Sequence, residues 1–149
     1  MNKNLNIKNL IIDKPLKLDC GQTINNFPLA YETYGSLNEK KDNAILVFHA
    51  LTGDQFVSGV NPITNKDGWW SYAVGSGKAL DTDKYFVICA NVISGCLGSF
   101  GPSNINPKTN KIYGTDFPII TINDMVNAQY NLLDFFKIEK LFGVMGGSM

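Results

Sequence analysis

The chain contains no arginine; all 13 of its basic residues are lysines. A rigid guanidinium fork for a carboxylate or phosphate is therefore missing from this stretch, and a substrate that needs one must find it downstream. Histidine occurs once, at His49. Cysteine occurs three times, at Cys20, Cys89 and Cys96, without the spacing of a metal site. That odd count is read as free thiols in a reducing compartment. No resident cofactor or metal is expected. The formal net charge is zero, which gives no electrostatic reason to expect nucleic acid or a membrane surface as partner. No run approaches the ~18 apolar residues of a membrane span. The first residues interleave Lys and Asn with Leu and Ile, so they hold no apolar signal-peptide core. A cytoplasmic location is expected.

What is present suffices for one domain. A chain of 149 residues can bury about 70% of the surface it exposes when unfolded. An apolar fraction of 44% with 17% charge places it among ordinary globular proteins.

Three runs lack polar alternation: Ala44–Phe48, Tyr85–Ala90 and Leu141–Met145. Each is bounded by polar turns and suits a parallel strand buried on both faces. Leu16–Asp19 and Leu29–Tyr34 instead alternate, and predict an antiparallel pair at one side of the sheet. Residues 1–14 are polar and rich in Asn and Lys, and read as an N-terminal arm. A helix is predicted after Thr121. Thr121 with Asp124 forms a capping-box start, Met125, Ala128, Leu132 and Phe136 share one face, and Asp124, Asn127, Asn131 and Asp134 share the other. A weaker helix is predicted over Trp70–Leu80, interrupted by Gly75 and Gly77. Two long loops, from Ala50 to about Trp69 and from Ser94 to about Pro118, each follow a strand. They emerge at the carboxyl edge, where open α/β sheets bind ligands.

The last nine residues carry the chemistry. An apolar run breaks into Gly146-Gly147-Ser148-Met149. A strand ending in a Gly-flanked Ser is the start of a nucleophile elbow, pattern G-x-S-x-G, whose closing Gly would follow Met149. Ser148 is the candidate nucleophile. Without a chemical role it would be a Ser in a Gly-rich turn. Leu51, in the turn Ala50-Leu51-Thr52-Gly53-Asp54 after the third strand, is the candidate first oxyanion donor. The N–H of Met149 is the second. The alternative for Leu51 is an ordinary tight turn. A Ser nucleophile needs a base, but His49 sits on a strand with no Asp behind it. It is read as structural, near the oxyanion loop, and the base and its acid are expected beyond Met149. Gly68-Trp69-Trp70 and the run Gly95–Pro102 are candidates to line a pocket, with core packing as the alternative for the Trp pair. Asp81-Thr82-Asp83 reads as turn chemistry.

These residues together resemble the homoserine O-acetyltransferase family of α/β-hydrolase-fold enzymes. The likeness is carried by Leu29–Gly35, Asn43–Asp54, Gly68–Trp70, Asp81–Cys89, Asn104–Pro107, Asp116–Pro118, Thr121–Val126 and Gly146–Met149, which cover most of residues 16–149. The resemblance implies a mostly parallel α/β-hydrolase sheet with an antiparallel N-terminal hairpin, truncated after the fifth strand. Residues 15–149 would be the N-terminal part of a catalytic domain. It implies ping-pong acyl transfer from an acyl-CoA, usually acetyl-CoA as co-substrate, to the hydroxyl of L-homoserine, on a branch of methionine synthesis. Ser148 would take the acyl group, with Leu51 and Met149 supplying oxyanion N–H groups. A homodimer is expected of the full-length protein, and no activity of this stretch alone. Succinyl-CoA or L-serine as substrate, an esterase of the same fold, and a non-catalytic product remain alternatives. One run departs from the family's pattern: Gly98-Ser99-Phe100-Gly101-Pro102 stands where Gly-Ser-Thr-Gly-Pro is usual, and it puts Phe100 in a loop at the ligand edge.

Overall fold

Continuous apolar runs become the middle of a sheet because both of its faces are covered. In the computed structural model, which describes residues 7–95 and 97–148, five strands form the main sheet. They are β1 (Asn9–Ile12), β2 (Phe27–Tyr34), β3 (Ala44–Phe48), β4 (Phe86–Ala90) and β5 (Gly143–Gly146), in spatial order β1-β2-β4-β3-β5. β3 runs parallel to both β4 and β5, with Ala44 opposite Phe86 and Gly143 opposite Ile45. β2 is antiparallel to β1 and to β4.

The pleat of β3 sorts its side chains. Ala44 and Leu46 face one core with Phe86, Ile88 and Ala90 of β4 and with Ala128, Leu132 and Leu133 of helix α1 (Ile122–Phe136). Ile45 and Val47 face the other, with Val87, Cys89, Val57, Val74 and Leu80. This two-sided cover explains why the runs carry no polar alternation.

Helix α1 begins as its sequence predicts. The Thr121 side chain accepts from the Asp124 N–H, and the Asp124 carboxylate accepts from the Thr121 N–H. Asp124 nevertheless leaves the wet face expected for it. It is fully buried, because its other carboxylate oxygen accepts from the Asp19 N–H at 3.0 Å. Lys137, in left-handed conformation (φ +57°), ends the helix.

Three expectations are corrected. Asn9–Ile12, placed in an N-terminal arm, is β1 of the main sheet, because Leu10 and Ile12 pack into the core beside Phe27. The predicted partner of β2, Leu16–Asp19, instead pairs through Leu16–Lys17 with Thr23–Ile24 in a separate small ribbon. The helix over Trp70–Leu80 is absent. Turns lead to a two-residue parallel pairing of Val74–Gly75 with Leu80–Asp81, and Gly75 (φ +153°) and Gly77 (φ +68°) take backbone angles no α-helix contains. As expected of a sheet that stops at its fifth strand, β5 is the sheet edge, with Val144 62% exposed and Phe142, just before the strand, 61% exposed. Leu141 and Val144 rim an apolar groove shared with Leu46, Phe48 and Leu133.

Candidate active site

The parallel strands β3, β4 and β5 all end at one edge, and the residues that follow them meet there. β5 delivers Ser148, β3 delivers His49 and Leu51, and β4 delivers Asn91. Ser148 has φ +63°, the left-handed region that residues with a side chain adopt uncommonly. Gly146 makes that turn possible by close approach. A Cβ there would stand 2.9 Å from the Phe48 Cβ and 3.2 Å from the Phe48 carbonyl oxygen.

Leu51 lies beside this turn. Its N–H donates to the Ser148 carbonyl at 3.2 Å, which ties the loop after β3 to the candidate nucleophile's own backbone. The Leu51 side chain is 67% exposed, so its position is set by this backbone and not by packing. Met149, the second candidate oxyanion donor, lies outside the described residues, as does Cys96.

His49 is buried, and both ring nitrogens are engaged. Nδ1 is 2.7 Å from the Ala50 carbonyl, and Nε2 accepts from the Val92 N–H at 3.2 Å, with Asn91 Nδ2 at 3.5 Å. Only the neutral tautomer with its proton on Nδ1 satisfies both contacts. No carboxylate approaches the ring among these partners. The arrangement holds two loops together and does not offer the Ser a free base.

Sequence reasoning missed the floor under the site. Asn91 is fully buried; its Oδ1 accepts from the Leu97 N–H at 3.3 Å, and its carbonyl accepts from the Ser99 hydroxyl. Ser99 Oγ in turn accepts from the Ala30 N–H at 2.9 Å. Gln55, also fully buried, donates from Nε2 to the Leu97 carbonyl at 3.3 Å. The available signal was positional. Asn91 follows an apolar strand directly, as His49 does, and a polar residue there must find partners or pay for its burial.

Asp54 organises the first loop. Its carboxylate accepts from the Phe56 N–H and from Asn61 Nδ2, both at 2.8 Å, and its carbonyl accepts from Trp69 Nε1 at 2.9 Å. Trp69 stacks on Trp70 with ring centroids 5.3 Å apart, and Trp70 packs against the core below the loop. The Asp81–Asp83 segment is turn chemistry: Asp81 Oδ1 accepts from the Gly77 and Asp83 N–H groups.

Phe100 does not line the ligand edge as expected. It is 8% exposed and packs in the α1-side core against Phe27, Tyr113 and Phe117. The backbone turns it inward: its N–H donates to the Pro28 carbonyl at 2.8 Å, and its carbonyl accepts from the Ser94 N–H at 2.6 Å. Cys89 is a buried thiol whose acidity burial pushes far down, so its ionisation lies well above the ordinary thiol range. It is a core side chain and not a nucleophile. Among the described residues, no helix is long and apolar enough to cross a membrane.

No family model matches the chain. A homoserine O-acetyltransferase of Pelagibacter ubique (strain HTCC1062) is 85% identical over all 149 residues, which make up 40% of that protein's length. The crystal structure of homoserine O-acetyltransferase from Bacillus anthracis superposes with a TM-score of 0.88 at 34% identity, covering 95% of this chain and 39% of that one. Esterase E22 superposes with a TM-score of 0.83, also at 34% identity, over 95% of this chain and 40% of its own. The fold is therefore that of the α/β hydrolases. The chain spans about two-fifths of the length of the curated relatives it matches.

Proposed function

Because this chain is a homologue of the homoserine O-acetyltransferases, we propose that the full-length protein transfers an acetyl group from acetyl-CoA to the hydroxyl of L-homoserine in methionine biosynthesis. Residues 15–149 are then the N-terminal part of its catalytic domain. Ser148 Oγ attacks the thioester carbonyl, CoA leaves as the thiol, and an acetyl-serine remains. The homoserine hydroxyl then takes the acetyl group and Ser148 is restored. The negative charge that develops on the carbonyl oxygen is received by the N–H groups of Leu51 and Met149, the Leu51 N–H exchanging its bond to the Ser148 carbonyl for one to the acyl oxygen. The base that moves these protons and its acid partner belong to the rest of the protein, because His49 has both nitrogens engaged within the fold.

The observation that carries this reading is the pairing of strain with proximity. Ser148 sits at φ +63°, and the Leu51 N–H reaches its backbone at 3.2 Å. The test is acyl-enzyme formation from acetyl-CoA by the full-length protein. Ser148→Ala is expected to abolish it, and unchanged labelling would remove Ser148 from the mechanism.

A second reading is an esterase of the same fold. It is favoured by the likeness to esterase E22. Product analysis separates the two: free acetate marks hydrolysis, and O-acetylhomoserine marks transfer.

A further inference from the structure

The planar peptide between Ala50 and Leu51 carries two groups that point opposite ways, the Ala50 carbonyl and the Leu51 N–H. Fixing one therefore aims the other. The Ala50 carbonyl is held twice: the Gly53 N–H donates to it at 2.7 Å, closing the turn, and His49 Nδ1 lies 2.7 Å away. On the other side of the same plane, the Leu51 N–H donates to the Ser148 backbone carbonyl at 3.2 Å, the contact that an incoming acyl oxygen has to displace. His49 itself cannot drift, since it is 2% exposed and Nε2 receives the Val92 N–H from the loop after β4. Gly53 is part of the fit. A Cβ there would stand 3.1 Å from the His49 Cβ and 3.3 Å from Nδ1.

We infer that His49 is a positioning residue for acyl transfer: its imidazole, clamped between Val92 and Ala50, sets the direction of the Leu51 oxyanion N–H through the peptide plane they share. The inference rests on the reading of Leu51 and Ser148 above and deepens it. His49 touches neither the nucleophile's hydroxyl nor the acyl group. Its effect falls on the step in which the carbonyl oxygen gains charge, so it changes the acylation rate more than the binding of the acyl donor.

The experiment uses the full-length protein and single-turnover acylation by p-nitrophenyl acetate and by acetyl-CoA. His49→Phe keeps the ring volume and removes both hydrogen bonds. It is expected to slow acylation by about a hundredfold with little change in KM, the scale that a small misplacement of a catalytic group produces. His49→Asn can still donate toward the Ala50 carbonyl, and His49→Gln can still accept from the Val92 N–H. The Asn variant, which holds the peptide plane directly, is expected to recover more of the rate than the Gln variant. If His49→Phe does not fold, the Asn and Gln variants decide, each assayed well below its own Tm. Equal rates in Asn and Gln, or losses that track Tm alone, overturn the role. So does wild-type acylation by His49→Phe. Ser148→Ala run alongside separates the failures. If it still forms the acyl-enzyme, the nucleophile reading falls. If it is inactive while the His49 variants are unimpaired, only the positioning role falls.

Discussion

Gly146 lies so close to Phe48 that an added Cβ would stand 2.9 Å from the Phe48 Cβ. The two residues are register partners across the parallel pair β5 and β3. The first glycine of the elbow is therefore demanded by the neighbouring strand and not only by the turn. Gly146→Ala is expected to push β5 away from β3 at the point that feeds Ser148. The cost is about 1–3 kcal/mol of overpacking, read as a lower denaturation midpoint, and acyl-enzyme formation should fall further than stability does. Gly147→Ala is the contrast, since a Cβ at Gly147 meets nothing within 4 Å. Equal behaviour of the two variants would place the constraint elsewhere.

Thiol chemistry should distinguish two of the cysteines. Cys20 is exposed, whereas Cys89 is fully buried and held neutral by its surroundings. Since the thiolate is the reactive form, iodoacetamide at pH 8 should label Cys20 readily and leave Cys89 untouched until the protein unfolds. Peptide mapping by mass spectrometry reads this directly, and rapid labelling of native Cys89 would contradict its burial.

Acid should loosen the start of α1. Hydrogen bonds from Thr121 Oγ1 and Asn123 Nδ2 hold the Asp19 carboxyl below the usual carboxylate range. A depressed folded-state value means stability that is present above about pH 4, the unfolded value, and lost as pH falls through the folded one. Backbone N–H groups of Gly77 and Asp83 act on Asp81 in the same direction. Thermal midpoints between pH 2 and 6 should fall less steeply in Asp19→Asn than in the parent. Superimposable profiles would show that the two hydrogen bonds carry no linkage.

The bare side of β5 predicts association. Val144 is exposed on an edge strand beside an apolar groove, with the exposed Phe142 just before that strand, and such an edge is a template for pairing with another chain. The polypeptide 1–149 expressed alone is expected to sediment as oligomers and to show no transferase turnover. Val144→Lys, which places a charge on the edge, should shift it toward monomer. A monodisperse, active 149-residue protein would refute both expectations.

Much of this arrangement was legible in the amino-acid order, for identifiable reasons. β3 and β4 announced themselves because both faces are covered, so no polar residue interrupts Ala44–Phe48 or Phe86–Ala90. α1 was legible from the reciprocal bonds of Thr121 and Asp124. β1 was not, because an edge strand of four residues leaves Asn9 and Ile11 outside and looks like any polar arm. Trp70–Leu80 has helix-like spacing, yet the conformations of Gly75 and Gly77 decide it. The apolar character of β5 was legible in Leu141–Met145, and so was its bare edge in a sheet that stops at the fifth strand. The residues converging on the carboxyl edge were legible for Ser148, Leu51 and His49. Asn91, Ser99 and Gln55 were hidden because their partners are backbone groups on other loops.

The pairing of Gly143 with Ile45 also has a temporal side. A ribosome delivers residues at roughly 5–20 per second, with the N-terminal part able to fold first. β3 can settle against β4 as soon as Ala90 has emerged, but its other flank must wait until Gly146 has been made. The nascent sheet thus passes several seconds with Ile45–Phe48 unpaired along one side, a window in which a chaperone has a ready purchase. The turn that bears Ser148 is then laid onto a floor already built, so errors in that floor would be inherited by the last strand to arrive.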